Sequence, residues 1–360
     1  MKKNLLLVVL FSLFIIGCSE DSNENNVEQN IDMSDFYVHT DDSENGSVFG
    51  RHSNHSHSYA CASMHVLNSQ LEQDPKLFQK MYNAELQARQ FMHNAKPGNG
   101  NGNGGGPGGG PGGGSGSDDV DVAIIPDNFG IINIPVDIII VAPDANSVSN
   151  AQVNSQMQTL NEDFRNTNTE SLPNGTTFDN DRTDAGFSFT LNSVTRYNDS
   201  RTTWGTNDAV KAAYPRPNNN HLTMWICPIG SNILGYAQFP GGNVATDGVV
   251  VDPAFFGDTG GSFGMGRTMT HEIGHWLNLR HIWGDGRCRQ DDFVADTPAS
   301  DGPNYGCPSY PTTNCKTPDM TMNYMDYVND ACMYMFTDGQ RNRMRAIFAP
   351  GGARASYIGN

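Results

Sequence analysis

The chain has 360 residues and carries 39 Asp and Glu against 22 Lys and Arg, a formal charge of −17. An acidic balance of that size repels a phosphate backbone, so nucleic acid is not expected as a partner. The acidity is spread out, with some clustering at Asp291, Asp292 and Asp296. In an exported protein such a loop either binds calcium through hard oxygen ligands or is simply solvated surface.

Residues 1–18 read as an export signal: Lys2 and Lys3, an apolar run from Leu5 to Ile16, then Gly17-Cys18. An apolar run of about a dozen residues is short for a membrane span, and no other segment suits one. A small residue directly before a cysteine fits a lipoprotein cleavage site, with lipid on Cys18; an ordinary secretory signal with an incidental Cys18 is the other reading. Residues 19–50 are polar and acidic and read as a disordered tether; His52, His55 and His57 read as part of the same polar tether, with metal binding as the other reading. Asp74-Pro75 is a helix start, Asp as cap and Pro in the first turn, for a helix through Leu77, Phe78, Met81, Leu86 and Phe91. Residues 96–118 are nearly all Gly, Pro, Asn and Ser, a flexible linker that cannot bury a core. Residues 19–95 therefore form a tether and a small helical unit, and 119–360 a single globular domain.

Within that domain, Ile131 to Val141 is a strand signal, and Val153, Met157, Leu160 and Phe164 mark one face of a helix. Phe187, Phe189 and Leu191 alternate as a strand should, and 221–227 and 234–239 are further strands. A helix near 266–277, a long irregular half and a last helix from Thr337 toward Phe348 complete an α/β (α+β) order.

The densest information is in His271-Glu272-Ile273-Gly274-His275. Histidines four apart on a helix project from one face and can grip one metal ion. His281 follows six residues after His275, where a continuous helix would carry it away from the pair, so the helix has to stop and turn back. Asn278 stands where that turn is needed, and Asn tolerates the left-handed backbone conformation. Three neutral imidazoles and an open fourth position make a catalytic type of zinc site, with Glu272 placed to act as general base on water. Downstream, Asn323-Tyr324-Met325-Asp326-Tyr327 puts a methionine in a tight turn, with a tyrosine two residues on.

With these residues the chain resembles the metzincin zinc metallopeptidases. Gly266 to Thr270, Leu234 to Ala237 and four cysteines after the zinc motif narrow the resemblance to the pappalysin family, in its short prokaryotic members of the ulilysin and mirolysin type. The resemblance implies a zincin fold, with a twisted sheet and active-site helix above a loop-rich lower half. It implies zinc on His271, His275 and His281, Met325 as the apolar floor, and Tyr327 as a group that hydrogen-bonds the oxyanion; a core tyrosine is the other reading of Tyr327. It implies calcium near the cleft at Asp292 and Thr297. Asp330 would lie at the base of the pocket for the residue after the scissile bond, giving cleavage before Arg or Lys, as a carboxylate facing a basic side chain would. Four cysteines permit three pairings; the resemblance implies Cys288–Cys315 and Cys307–Cys332. It also implies that Cys61 occupies the open zinc position in a latent form, although Tyr59 stands where the family has Arg. A disulfide to Cys227 or an idle thiol is the alternative for Cys61, and a core position is favoured for Cys227.

The functional expectation is a secreted or surface-anchored zinc endopeptidase, monomeric, acting on protein or peptide substrates and touching the membrane only through its lipid before activation. A surface lipoprotein with an inactive peptidase fold, serving as a binding module, is the second reading. Between Pro97 and Phe164 there is no Lys or Arg. Self-processing with basic specificity would therefore cut at Arg89, at Lys96 or upstream, leaving the glycine-rich leader on the enzyme.

Overall fold

The computed structural model describes residues 31–38, 60–95, 122–172 and 174–358. Cys18 and the signal, the histidines at 52, 55 and 57, and the linker lie outside them.

One six-stranded sheet organises the molecule. Its strands in chain order are β1 (Ala60–Cys61), β2 (Ile132–Ala142), β3 (Phe187–Asn198), β4 (Leu222–Ile226), β5 (Ile233–Ala237) and β6 (Val249–Val251). Their spatial order is β1-β5-β6-β4-β2-β3. β2 runs parallel to both β3 and β4, β4 parallel to β6, and β5 antiparallel to β6. The β-branched run Ile138-Ile139-Ile140-Val141 is buried throughout, as a strand covered on both faces requires. The alternation predicted for β3 stops early: Phe187 and Phe189 are buried, but Leu191 is exposed beside a register shift at Val136/Asp137. At such a bulge the strand bends away from regular pairing.

The helices are α1 (Ser63–Gln73), α2 (Leu77–Asn94), α3 (Asn150–Phe164), α4 (Ala209–Ala213), α5 (Arg267–Trp276) and α6 (Asp338–Ala346). Val153, Met157, Leu160 and Phe164 of α3 join Met269, Ile273 and Trp276 of α5 in the main core on one face of the sheet. Trp204, Trp225, Cys227, Tyr236 and Val250 form a second cluster, which Ala62 and Val66 complete. α6 starts as its sequence predicts, with a capping box between Thr337 and Gln340. Helix α2 starts later than predicted: its first residue is Leu77, and Asp74 holds the preceding turn by accepting from Lys76 N at 3.0 Å. Helix α1 was not anticipated from the sequence.

Residues 31–38, read from composition as part of a disordered tether, are docked on later parts of the chain, with Val38 buried among Met64, Leu67, Leu71, Leu77, Met81 and Phe239. Composition reports what a segment can bury by itself; Phe36, Tyr37 and Val38 are too few for a core of their own but enough to complete another.

After α5 the chain is mostly irregular and is tied by disulfides Cys288–Cys315 and Cys307–Cys332, separated by 27 and 25 residues. Closing loops of that length stabilises the folded state by about 3 kcal/mol each in the chain-entropy account. Replacing Cys288 and Cys315 together by serine is expected to lower the unfolding free energy by about that amount in a urea titration. A change below roughly 1 kcal/mol would mean that other contacts already hold this loop.

Candidate metal centre and substrate cleft

Helix α5 carries His271 and His275 one turn apart and ends in a Schellman turn. Asn278 takes the left-handed conformation at φ 78°, its N–H bonds His275 O at 3.0 Å, and Leu279 N bonds Gly274 O at 2.9 Å. That reversal returns His281 to the pair. Glycine at 274 lets Met325 Sδ pack directly beneath the helix, where a Cβ would force the methionine to shift.

Each imidazole is oriented through Nδ1. His271 Nδ1 lies 2.7 Å from Tyr324 O, His275 Nδ1 lies 2.9 Å from Leu279 O, and His281 Nδ1 bonds the Asp285 carboxylate. Carbonyl and carboxylate oxygens only accept, so all three protons reside on Nδ1 and each Nε2 presents a lone pair. The Nε2 atoms of His275 and His281 are 3.1 Å apart, and His271 Nε2 is buried without a hydrogen-bond partner. Converging lone pairs in a buried place repel unless a cation lies among them. Burial, with His281 nearby, pushes His271 down to about 3 and lowers His275 as well, so both rings are neutral at ordinary pH. The ligand atoms of Cys61, His271, His275 and His281 all lie within 4.8 Å of one another, a donor set of the kind zinc accepts.

The region around the histidines is tied to distant parts of the chain. Asp163 on α3 accepts from Tyr324 Oη at 2.7 Å and Thr270 Oγ1 at 2.8 Å, and pairs with Arg267 at 3.2 Å. One carboxylate thus links α5 to the turn whose carbonyl orients His271. In that turn Asp326 N bonds Asn323 O at 3.1 Å, and the Asn323 side chain exchanges hydrogen bonds of 2.8 and 3.0 Å with Gln340 on α6. Met325 is fully buried there. The Tyr327 ring is 4.9 Å from the His281 ring and 5.6 Å from that of His271.

Glu272 is buried beside Gly235 of β5, where a Cβ would meet its Cγ at 3.1 Å. Burial pushes its carboxyl up to about 7. β1 pairs in parallel with β5, and Ala62 N bonds Gly235 O at 2.9 Å, so residues 60–62 take the edge of the sheet beside β5. Ser63, two residues after Cys61, donates Oγ–H to Glu272 Oε2 at 2.7 Å and accepts from Ala237 N at 2.8 Å. Its own N–H points at Cys61 Sγ at 3.4 Å.

A cavity runs from Cys61, His271 and Glu272 past Leu234, Phe263 and Met333 to Asp330. Asp330 Oδ2 accepts from Met265 N at 2.8 Å and Arg267 N at 3.2 Å, and burial pushes the carboxyl up to about 6. The nearby Arg267 guanidinium is paired with Asp163 and, at 2.9 Å, with Glu170. Asp292 and Thr297 meet in the irregular half: Thr297 Oγ1 lies 2.9 and 2.8 Å from the two Asp292 carboxylate oxygens.

Sequence reasoning missed Asp285, Asp163, Tyr324 and Ser63. Asp285 alone carried a signal, as an aspartate shortly after a candidate histidine ligand.

Residues 222–349 match the family described as pregnancy-associated plasma protein-A. Mature mirolysin of Tannerella forsythia, solved with a cleaved peptide, is 41% identical, covers 63% of this chain and 96% of its own, and superposes with a TM-score of 0.61. A promirolysin mutant from the same organism is 34% identical over 83% of this chain and 95% of its own, with a TM-score of 0.66. An extracellular metalloprotease of Arthroderma benhamiae is 34% identical over 171 residues, 44% of this chain. The chain spans 63% of that relative's length.

Proposed function

This chain belongs to the pappalysin family of metzincin metallopeptidases, and from that premise we propose that it is an exported zinc endopeptidase made as a latent precursor. The observation that carries the proposal is the convergence of three Nε2 lone pairs with every Nδ1 already occupied. His271, His275 and His281 would hold the zinc, which when bound supplies Lewis acidity and a water of lowered pKa. Glu272 accepts the proton of the attacking water and returns it to the leaving amine. Tyr327 hydrogen-bonds the developing oxyanion, and Met325 floors the site. Strand β5 pairs with the substrate backbone once β1 has left its edge. Hydrolysis of a peptide mixture by the processed protein, abolished by a chelator and restored by zinc, tests this reading; no activity in the zinc-loaded, processed protein would remove it.

In the precursor, Cys61 would be the fourth ligand to zinc, while Ser63 engages the base and Ala237 N–H. Asp292 and Thr297 would hold calcium. Lipid on Cys18 would anchor the precursor to a membrane. Arg89 is an unsuitable cut site, because it is buried and paired with Asp35 at 2.6 Å and Glu85 at 2.8 Å. Self-processing would therefore fall before Lys96 or upstream of Arg89.

We assign Asp330 to recognition of Arg or Lys after the scissile bond. Its substitution by Asn should lower kcat/KM for an Arg substrate about 10- to 100-fold relative to a Leu substrate, as loss of one charge-assisted contact does. The sign of the pH dependence follows from its raised pKa: the charge is present above about 6 and lost as pH falls through that value. The Arg/Leu ratio of kcat/KM should fall over the same range, and the ratio cancels the titration of Glu272. A ratio that is flat with pH and unchanged in Asp330→Asn would place the specificity elsewhere.

A further inference from the structure

The docked segment 31–38 reaches a surface of the catalytic half that peptide hydrolysis does not use. The Phe36 ring lies 6.1 Å from that of Phe293, and the Tyr37 ring 5.3 Å from it. Tyr37 Oη bonds Gly284 O and lies 2.8 Å from Asp291 O. Arg280 donates to Tyr37 O, with its guanidinium 4.3 Å from the Tyr37 ring and 4.8 Å from the Phe293 ring. Arg343 stands 5.3 Å from the same Phe293 ring. Its guanidinium pairs with Glu85 of α2 through two bonds of 2.9 and 2.8 Å, both partners being buried. Asp35 and Glu85 share Arg89, which ties the segment to α2. Phe293 has φ 65°, a strained state for a bulky residue, so the surrounding packing must hold it there.

We infer that Arg280, Phe293 and Arg343, with the carbonyls of Gly284 and Asp291, form an acceptor surface for an acidic–aromatic segment, and that its occupant is this chain's own Asp35-Phe36-Tyr37 with Glu85. The chemistry is complementary on each count. Guanidiniums meet carboxylates and aromatic faces, and a tyrosine hydroxyl meets backbone carbonyls. None of these contacts involves Cys61, Ser63, the three histidines or Glu272. The prosegment is therefore held at two independent places, and cutting the chain between 96 and 121 leaves it bound as a separate chain. Release requires a further event at the second surface. The inference rests on the precursor reading, but its test reads association and needs no hydrolysis.

The test uses the zinc-loaded full chain with a protease recognition sequence inserted in the glycine-rich stretch 98–117. After cleavage, prosegment and catalytic half are separated by size-exclusion chromatography, and dissociation is timed with a label on the prosegment. The fragments should co-elute in the parent and in Cys61→Ser. Dissociation should accelerate at least about tenfold in Phe36→Ala/Tyr37→Ala, and equally in Phe293→Ala, since buried aromatic anchors dominate such interfaces. The Phe293 variant changes the catalytic side and the double variant the prosegment side, so a folding failure in one leaves the other informative. Prosegment loss in Cys61→Ser, with unchanged dissociation in the two aromatic variants, would overturn the inference and place the anchor at residues 60–66 alone.

Discussion

Replacing Glu272 with glutamine is expected to lower peptide hydrolysis by the processed protein roughly 10³-fold, within the range that positioned acid–base catalysis supplies. In the uncut chain the carboxyl is buried beside β5 and Ser63, and burial raises it to about 7; after processing it faces the cleft as an acceptor for the proton of water. Glutamine keeps the shape and loses the acceptor. The three histidines are oriented by Tyr324 O, Leu279 O and Asp285, and none by Glu272, so bound zinc should stay at one per chain. Metal analysis beside the assay separates the two causes of inactivity. Activity within tenfold of the parent, at full zinc content, would mean that another group serves as base.

The second large effect concerns latency. In the uncut chain, Cys61→Ala should raise hydrolysis of a short peptide on the order of 100-fold, equivalent to about 2.7 kcal/mol of lost occupancy at the metal. Activation should remain incomplete, because β1 still pairs with β5 and Ser63 still bonds Glu272 and Ala237 N–H. Adding Ser63→Ala should raise the rate further, since it frees the base and the N–H of the edge strand together. Ser63→Ala alone should do less, because the sulfur keeps its place. If Cys61→Ala leaves the precursor as silent as the parent, occlusion by β1 and α1 causes latency and the thiol is incidental.

The sequence disclosed the active-site helix and its reversal because these are local: helical spacing sets His271 above His275, and Asn278 is a residue type suited to a left-handed turn. The strand and helix that frame the site were legible for the same reason, as in the apolar runs of β2 and α3. What it concealed depends on partners remote in the chain. Asp163 lies more than a hundred positions before Arg267 and Thr270, and no local pattern links them. Ser63 becomes informative only when β1 is seen on the edge of β5. Residues 31–38 look unstructured because their composition cannot say that Arg280 and Phe293 await them. The disulfide pairing was open to three arrangements until the family resemblance chose one, and the structure has that pairing. Asp292 and Thr297 lie side by side, and calcium at that point is a proposal.

If this chain cleaves peptide bonds with zinc and Glu272 and selects a basic residue through Asp330, its cleavage sites record all three. The most direct measurement is cleavage-site profiling of a proteome-derived peptide mixture by mass spectrometry, with the processed, zinc-loaded protein and its Glu272→Gln variant side by side. The account predicts cuts concentrated before Arg and Lys in the parent and none in the variant. A zinc-bound parent that cuts no more than Glu272→Gln does would contradict it and favour a peptidase fold kept for binding.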